Sequence, residues 1–128
     1  MSNSINTNGL LFKGAFNTQD LLTPVFLYRS ASNAYITLAD IYIAADPSLD
    51  VNVTLYITKQ IMAPNADDAI LENSSLSNYN GTIVLNNIEL TFSESIFIAT
   101  SSVPGNITVQ IRGRTQIIPP VLLMAESN

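Results

Sequence analysis

Five carboxylates lie close enough along the chain to suggest chemistry. Asp67, Asp68 and Glu72 share one polar stretch, and Asp46 and Asp50 flank Pro47. Glycoside hydrolysis needs two such groups, about 5 to 10 Å apart across a cleft. The same hard oxygens suit calcium. Both ideas have a plainer rival. Asp46-Pro47-Ser48 reads as the start of a turn, and Asp67-Asp68 as a helix cap or a blunted loop. No stretch carries the alternating Asp-x-Asp-x-Asp-Gly of an EF-hand. The turn reading is preferred, with no catalytic residue, metal or cofactor expected.

Other chemistry is closed by composition. Cys, His and Trp are all absent. There is no thiol nucleophile, no disulfide, no imidazole base and no His or Cys metal ligand. A serine nucleophile would have only Lys13 or Lys59 as its base, and neither sits in a Ser-x-x-Lys. No Gly-x-x-x-x-Gly-Lys or Gly-x-Gly-x-x-Gly is present, so nucleotide binding has no support.

The chain has 128 residues, of which 47% are hydrophobic and only 12% charged. Asn, Ser and Thr supply the polar surface instead, at 14, 13 and 11 copies. This length supports one real core and not two comfortable domains. The net charge is −5, and Lys13, Arg29, Lys59, Arg112 and Arg114 are the only basic residues. Phosphate neutralisation needs more than that, so nucleic acid and anionic membrane are both disfavoured as partners. The polar start, Met1 to Asn8, does not read as a signal peptide, and no apolar run is long enough to span a bilayer. Four Asn-x-Ser/Thr triplets, at Asn52, Asn73, Asn80 and Asn106, fit chance in a chain so rich in these residues. Folding in a cytoplasm is the simplest expectation.

The elements that would position any site have a period of two. Val51, Val53, Leu55 and Ile57 alternate with Asn52, Thr54, Tyr56 and Thr58. Ile107, Val109 and Ile111 alternate with Thr108, Gln110 and Arg112. Isoleucine alone occurs 15 times, which suits pleated surfaces. Two places break phase. Ile36 and Leu38 share one parity while Ile41 and Ile43 share the other, which predicts an extra residue near Ala39–Asp40. Ile83 and Leu85 likewise give way to Ile88, Leu90 and Phe92 after Asn86–Asn87, a bulge or a tight turn. Residues 65–72 offer a short helix, although a strand over 68–75 fits equally well. Turn signals every 10 to 15 residues then predict an all-β fold: an antiparallel β-sandwich with jelly-roll-like connections and eight or nine strands.

The ends differ from the middle. The expected layout is a polar N-terminal arm over 1–9, the sandwich over 10–118 and a C-terminal arm over 119–128. Leu10, Leu11, Phe12 and Phe16 form an apolar cluster. Pro119–Pro120 forbids continued pairing, and Val121, Leu122, Leu123 and Met124 follow it. These eight residues are the candidate contacts to a neighbouring protein. Tyr28 and Tyr56 fall opposite the aliphatic face, where an interface, a second layer of core or a sugar platform are all open.

Leu90-Thr-Phe-Ser-Glu-Ser95, Ile96-Phe-Ile-Ala-Thr-Ser-Ser102 and Val103-Pro-Gly-Asn-Ile-Thr-Val-Gln-Ile-Arg-Gly113 resemble a family of small β-sandwich virion proteins of tailed bacteriophages. The upstream segments Phe26–Arg29, Ala34–Ile43 and Val51–Ile57 follow in the same order. The likeness spans about residues 25 to 113. It departs at Ser93-Glu94, where the family's turn is Gly-Asp. It implies a non-enzymatic virion part, foremost a capsid decoration (cement) protein. Such a protein would bind the major capsid protein or other virion proteins and act as a homo-oligomer, taken as a trimer. The alternatives are a tail, neck, baseplate or fibre component, or a carbohydrate-binding receptor module.

Overall fold

The computed structural model describes residues 5–32, 34–46 and 48–117. Eight strands run in chain order: β1 Ile5–Asn17, β2 Val25–Arg29, β3 Ala34–Ala45, β4 Asn52–Thr58, β5 Ala69–Ser75, β6 Thr82–Leu90, β7 Ser95–Thr100 and β8 Asn106–Ile117. They form two antiparallel four-stranded sheets, sheet 1 in the order β1-β8-β3-β6 and sheet 2 in the order β2-β7-β4-β5. The pairs β4–β5, β3–β6, β2–β7 and β1–β8 nest inside one another. This is one long hairpin rolled into a sandwich, the jelly roll expected from the sequence. The strand alternative for residues 68–75 is the one observed, after a single 3-10 turn over Ala66–Asp68.

The alternating residues fill the space between the sheets. Ile41, Ile43, Ile107, Val109 and Ile111 come from sheet 1, and Val53, Leu55, Ile96 and Ile98 from sheet 2. Leu21, Val51 and Leu76, outside the strands, are also fully buried in this core.

One phase break needs correction. β3 carries no extra residue at Ala39–Asp40, because its register against β8 runs unbroken from Ile36 to Ala45. Thr37, Ala39, Ile41 and Ile43 all face inward, and Ile36 and Leu38 lie on the other parity. The bulge belongs to β6 alone: Asn86 and Asn87 together oppose Asp40. Asn87 takes a φ of 56° and donates its N–H to the Asp40 carboxylate at 2.8 Å. Hydropathy misled here because an inward threonine is affordable when it is hydrogen-bonded. The Thr37 hydroxyl lies 3.3 Å from that of Ser30 and 3.1 Å from that of Thr115, all three buried. Thr37→Val leaves two buried hydroxyls short of a partner and is expected to cost about 1–3 kcal/mol by chemical denaturation. The Thr37→Val/Thr115→Val pair should cost less than the sum of the two single changes.

Two ends are distinct. The β1–β2, β3–β4, β5–β6 and β7–β8 connections gather at one, tied by Thr18 N–H to Gly105 C=O and Leu76 N–H to Val51 C=O, both 2.9 Å. The β2–β3, β4–β5 and β6–β7 connections gather at the other. Ile5 and Ile117 pair at that second end, beside Ala34.

Candidate functional site

The carboxylates do not assemble. Asp46 and Asp50 lie in the β3–β4 connection and Asp67 and Asp68 in the β4–β5 connection, so the length of β4 separates the pairs. Asp46, Asp50 and Asp68 brace turns and strand ends. Asp46 accepts the Ser48 N–H at 2.9 Å and the Ser48 hydroxyl at 2.8 Å. These bonds, the backbone one foremost, hold its carboxyl below the usual carboxylate range. A lowered folded value means that this small contribution is present above the unfolded pKa and lost as pH falls through the folded one. Asp50 accepts the Ser75 hydroxyl at 3.2 Å. Asp68 accepts the Asn65 N–H at 2.8 Å, closing a capping box over the 3-10 turn. Glu72 sits exposed on β5. Among the described residues no three His, Cys, Asp or Glu gather to hold a metal ion.

What remains is surface for contact. Of the four candidates in the N-terminal cluster, three are tied into the sandwich. β1 reaches back to Ile5, so residues 5–9, expected as an arm, lie in a strand paired with β8. Phe12, Phe16 and Leu11 pack against the core. The two phenylalanines stack at 6.0 Å between centroids, with the rings 9° apart. Gly14 lies between them, and a Cβ there would meet the Phe12 ring at 2.9 Å. Leu10 alone is turned out, 51% exposed, in register with Arg112. The register shift between Leu10 and Phe12 is what separates their fates. Val121, Leu122, Leu123 and Met124 lie outside the described residues.

Sequence reasoning missed the most exposed apolar pair. Ile61 and Met62, at 79% and 89% exposure, project from the β4–β5 connection. Phe92, half exposed at the neighbouring β6–β7 connection, carries the Lys59 ammonium 4.4 Å above its ring. The signal was two adjacent apolar residues outside any period-two run, just before Pro64. This end is also where β8 finishes.

The turn at Ser93-Glu94 forms without glycine. Ser93 adopts a φ of 61°, the left-handed conformation that glycine takes freely. Glu94 braces it, its carboxylate accepting the Thr91 N–H at 2.7 Å and the Thr91 hydroxyl at 2.8 Å.

The outer face of sheet 1 holds a depression of about 380 Å³. Two register rows make it: Ala15, Thr108 and Ala44, then Lys13, Gln110 and Tyr42. The small residues form the floor and Tyr42 a wall. With its Oε1 turned toward Arg112, Gln110 accepts from Nε at 2.6 Å and Nη2 at 3.1 Å. The two tyrosines open to several readings sort differently. Tyr28 packs against the core after a register shift in β2, and Tyr56 lies in register with Phe97. They do not form one platform.

No protein-family model matches the chain, and no curated protein is similar to it in sequence. The fold is shared with solved structures at low identity. A chain of the cyanophage Pam1 capsid asymmetric unit superposes with a TM-score of 0.53 at 14% identity, over 91% of this chain and 88% of that one. A chain of the acid-stable capsid of Helicobacter pylori bacteriophage KHP30 gives 0.55 at 9%, over 93% and 95%. A chain of Bacillus endospore appendages, described as disulfide-linked pili, gives 0.56 at 11%, over 91% and 95%. The match to the infectious bursal disease virus Gx strain, TM-score 0.57 at 11% identity, takes in 91% of this chain but only a third of the viral one, 33%. Among the described residues no helix is long and apolar enough to cross a membrane.

Proposed function

We propose that this chain is a non-enzymatic structural protein of a bacteriophage virion, a capsid decoration protein that binds the assembled shell. The observation that carries the reading is the end-to-end match of one jelly roll to chains of two phage capsid structures, 88% and 95% of their lengths. The surface agrees with it. Asp46 and Asp68 are spent on turns, and Ile61, Met62 and Leu10 are apolar groups offered to a neighbour. The likeness to spore appendages weighs less: those pili are disulfide-linked, and a chain without cysteine cannot be joined that way.

Decoration stabilises a shell by mass action, because the protein binds the lattice and not the free subunit. Ile61, Met62 and Leu10 meet the major capsid protein, and the segment containing Val121–Met124 adheres to a neighbouring protein of the particle. Leu11, Phe12 and Phe16 anchor the strand that presents Leu10. Quantitative mass spectrometry of purified particles should find the chain in hundreds of copies. A few copies, or a few dozen, would place it in the tail, neck or fibre instead. Deleting residues 119–128 should leave a folded domain that no longer sediments with shells. Native affinity of that truncated protein would overturn the contact assignment.

A further inference from the structure

The outer face of sheet 1 is unusual for this chain. It carries Lys13, Arg112 and Arg114, three of the five basic residues of a protein with net charge −5. No carboxylate shares the row of Lys13, which runs through Gln110 and Tyr42 to Val84. Arg112 stands in register with Asp40 and the row of Arg114 runs through Leu38 to Glu89, so Lys13 is the cation that faces the apolar depression floored by Ala15 and Ala44 without a carboxylate in its row. An extended segment of three or four apolar residues followed by an acid matches it. Val121-Leu-Leu-Met124, followed by Ala125 and Glu126, has that pattern.

We propose that this depression receives the Val121–Glu126 segment of a second copy of the chain. The inference rests on the adhesive role given above to that segment, and names its partner. Reach favours a neighbour over the segment's own sandwich. The depression lies at Thr108 to Gln110 on β8, and β8 is described as far as Ile117. Eight residues of strand from Val109 to Ile117 span about 27 Å. Four residues from Ile117 to Val121 cover at most about 14 Å. Seven residues from Ile117 to Met124 cover at most about 25 Å, and a reversal of direction takes up part of that, so Val121, Leu122 and Leu123 fall short of their own depression while a neighbour's can take the whole segment. Each copy gives one segment and receives one, so the contact closes as a pair or a ring, or runs on as a filament where the rotation does not close. An oligomer of this kind presents several Ile61–Met62 tips together, and multivalency then multiplies a weak contact to a lattice.

The absence of cysteine gives a clean test. Ala44→Cys and Leu122→Cys are made in two separate full-length proteins, one carrying a size tag. They are mixed without any particle and oxidised mildly. The expected result is a disulfide-linked dimer of the mixed mass, at least tenfold above what either variant forms alone. No mixed dimer above the single-variant background overturns the proposal. In the double variant, a disulfide closed within one chain overturns it as well. If deletion of residues 119–128 abolishes sedimentation with shells while no mixed dimer forms, the lattice is the segment's receptor. Only the present inference then falls. Unfolding midpoints of both cysteine variants within about 3 °C of the parent show that the fold is intact.

Discussion

Phe97→Ala is expected to lower stability by about 3–5 kcal/mol, the usual cost of removing a buried ring. The ring is only 2% exposed, yet it does not belong to the core between the sheets. Ile96 and Ile98 take the inward positions of β7, and Phe97 points to the outer face of sheet 2. There it meets Phe26 edge-on, with centroids 5.9 Å apart and planes at 77°. Tyr56 stands beside it in register on β4. The ring thus seals the central strand pair of this sheet from water, and truncation removes its aromatic contact along with its burial. At roughly 3–5 °C per kcal/mol for a domain of this size, the midpoint should fall by about 10–20 °C. Phe97→Leu should recover more than half of the loss. A change below about 1 kcal/mol would mean that this outer face is open.

Gly113→Ala is expected to cost about 2–3 kcal/mol, as overpacking does when the obstacle cannot move. Gly113 sits mid-strand in β8, paired with Gly9 on one side and Ala39 on the other. A Cβ there would overlap the carbonyl oxygen of Leu38 and would lie 3.2 Å from the Ala39 Cα. Both obstacles are backbone, in a strand whose pairing with β8 is continuous there. Gly14→Ala is milder, because the Phe12 ring tip that it meets can turn aside. Denaturant midpoints of the two variants, compared directly, test that ranking. Equal losses would show that β3 yields as easily as a ring.

Strand alternation carried most of the fold. Ile107, Val109 and Ile111 announce an inward face, and the structure buries all three. Hydropathy failed where the inward residue was small or polar. Ala39 is small because it lies close to Gly113, and Thr37 is polar because Ser30 and Thr115 complete it. Neither partner is near in sequence, so local pattern had no access to them. The N-terminal cluster failed for a different reason. Leu10, Leu11, Phe12 and Phe16 read alike in one dimension, and only a register shift against β8 divides them into one outward and three packed residues. The tip at Ile61–Met62 was visible as an apolar pair in a turn, but its exposure follows from where the β4–β5 connection ends. The depression on sheet 1 draws on β1, β3 and β8, elements as far apart as the chain allows.

The nested pairing has a consequence for synthesis. Its innermost hairpin joins Tyr56 to Ala69, and its outermost pair joins Ile5 to Ile117. A nascent chain leaves the ribosome with β1 first, and that strand waits for the last one to emerge. Throughout translation Leu11, Phe12 and Phe16 hang in water without the layer that covers them in the finished protein. Holdase chaperones have a ready client in that interval, and a stalled or nonsense-truncated product that never acquires β8 leaves the same strand open to aggregation.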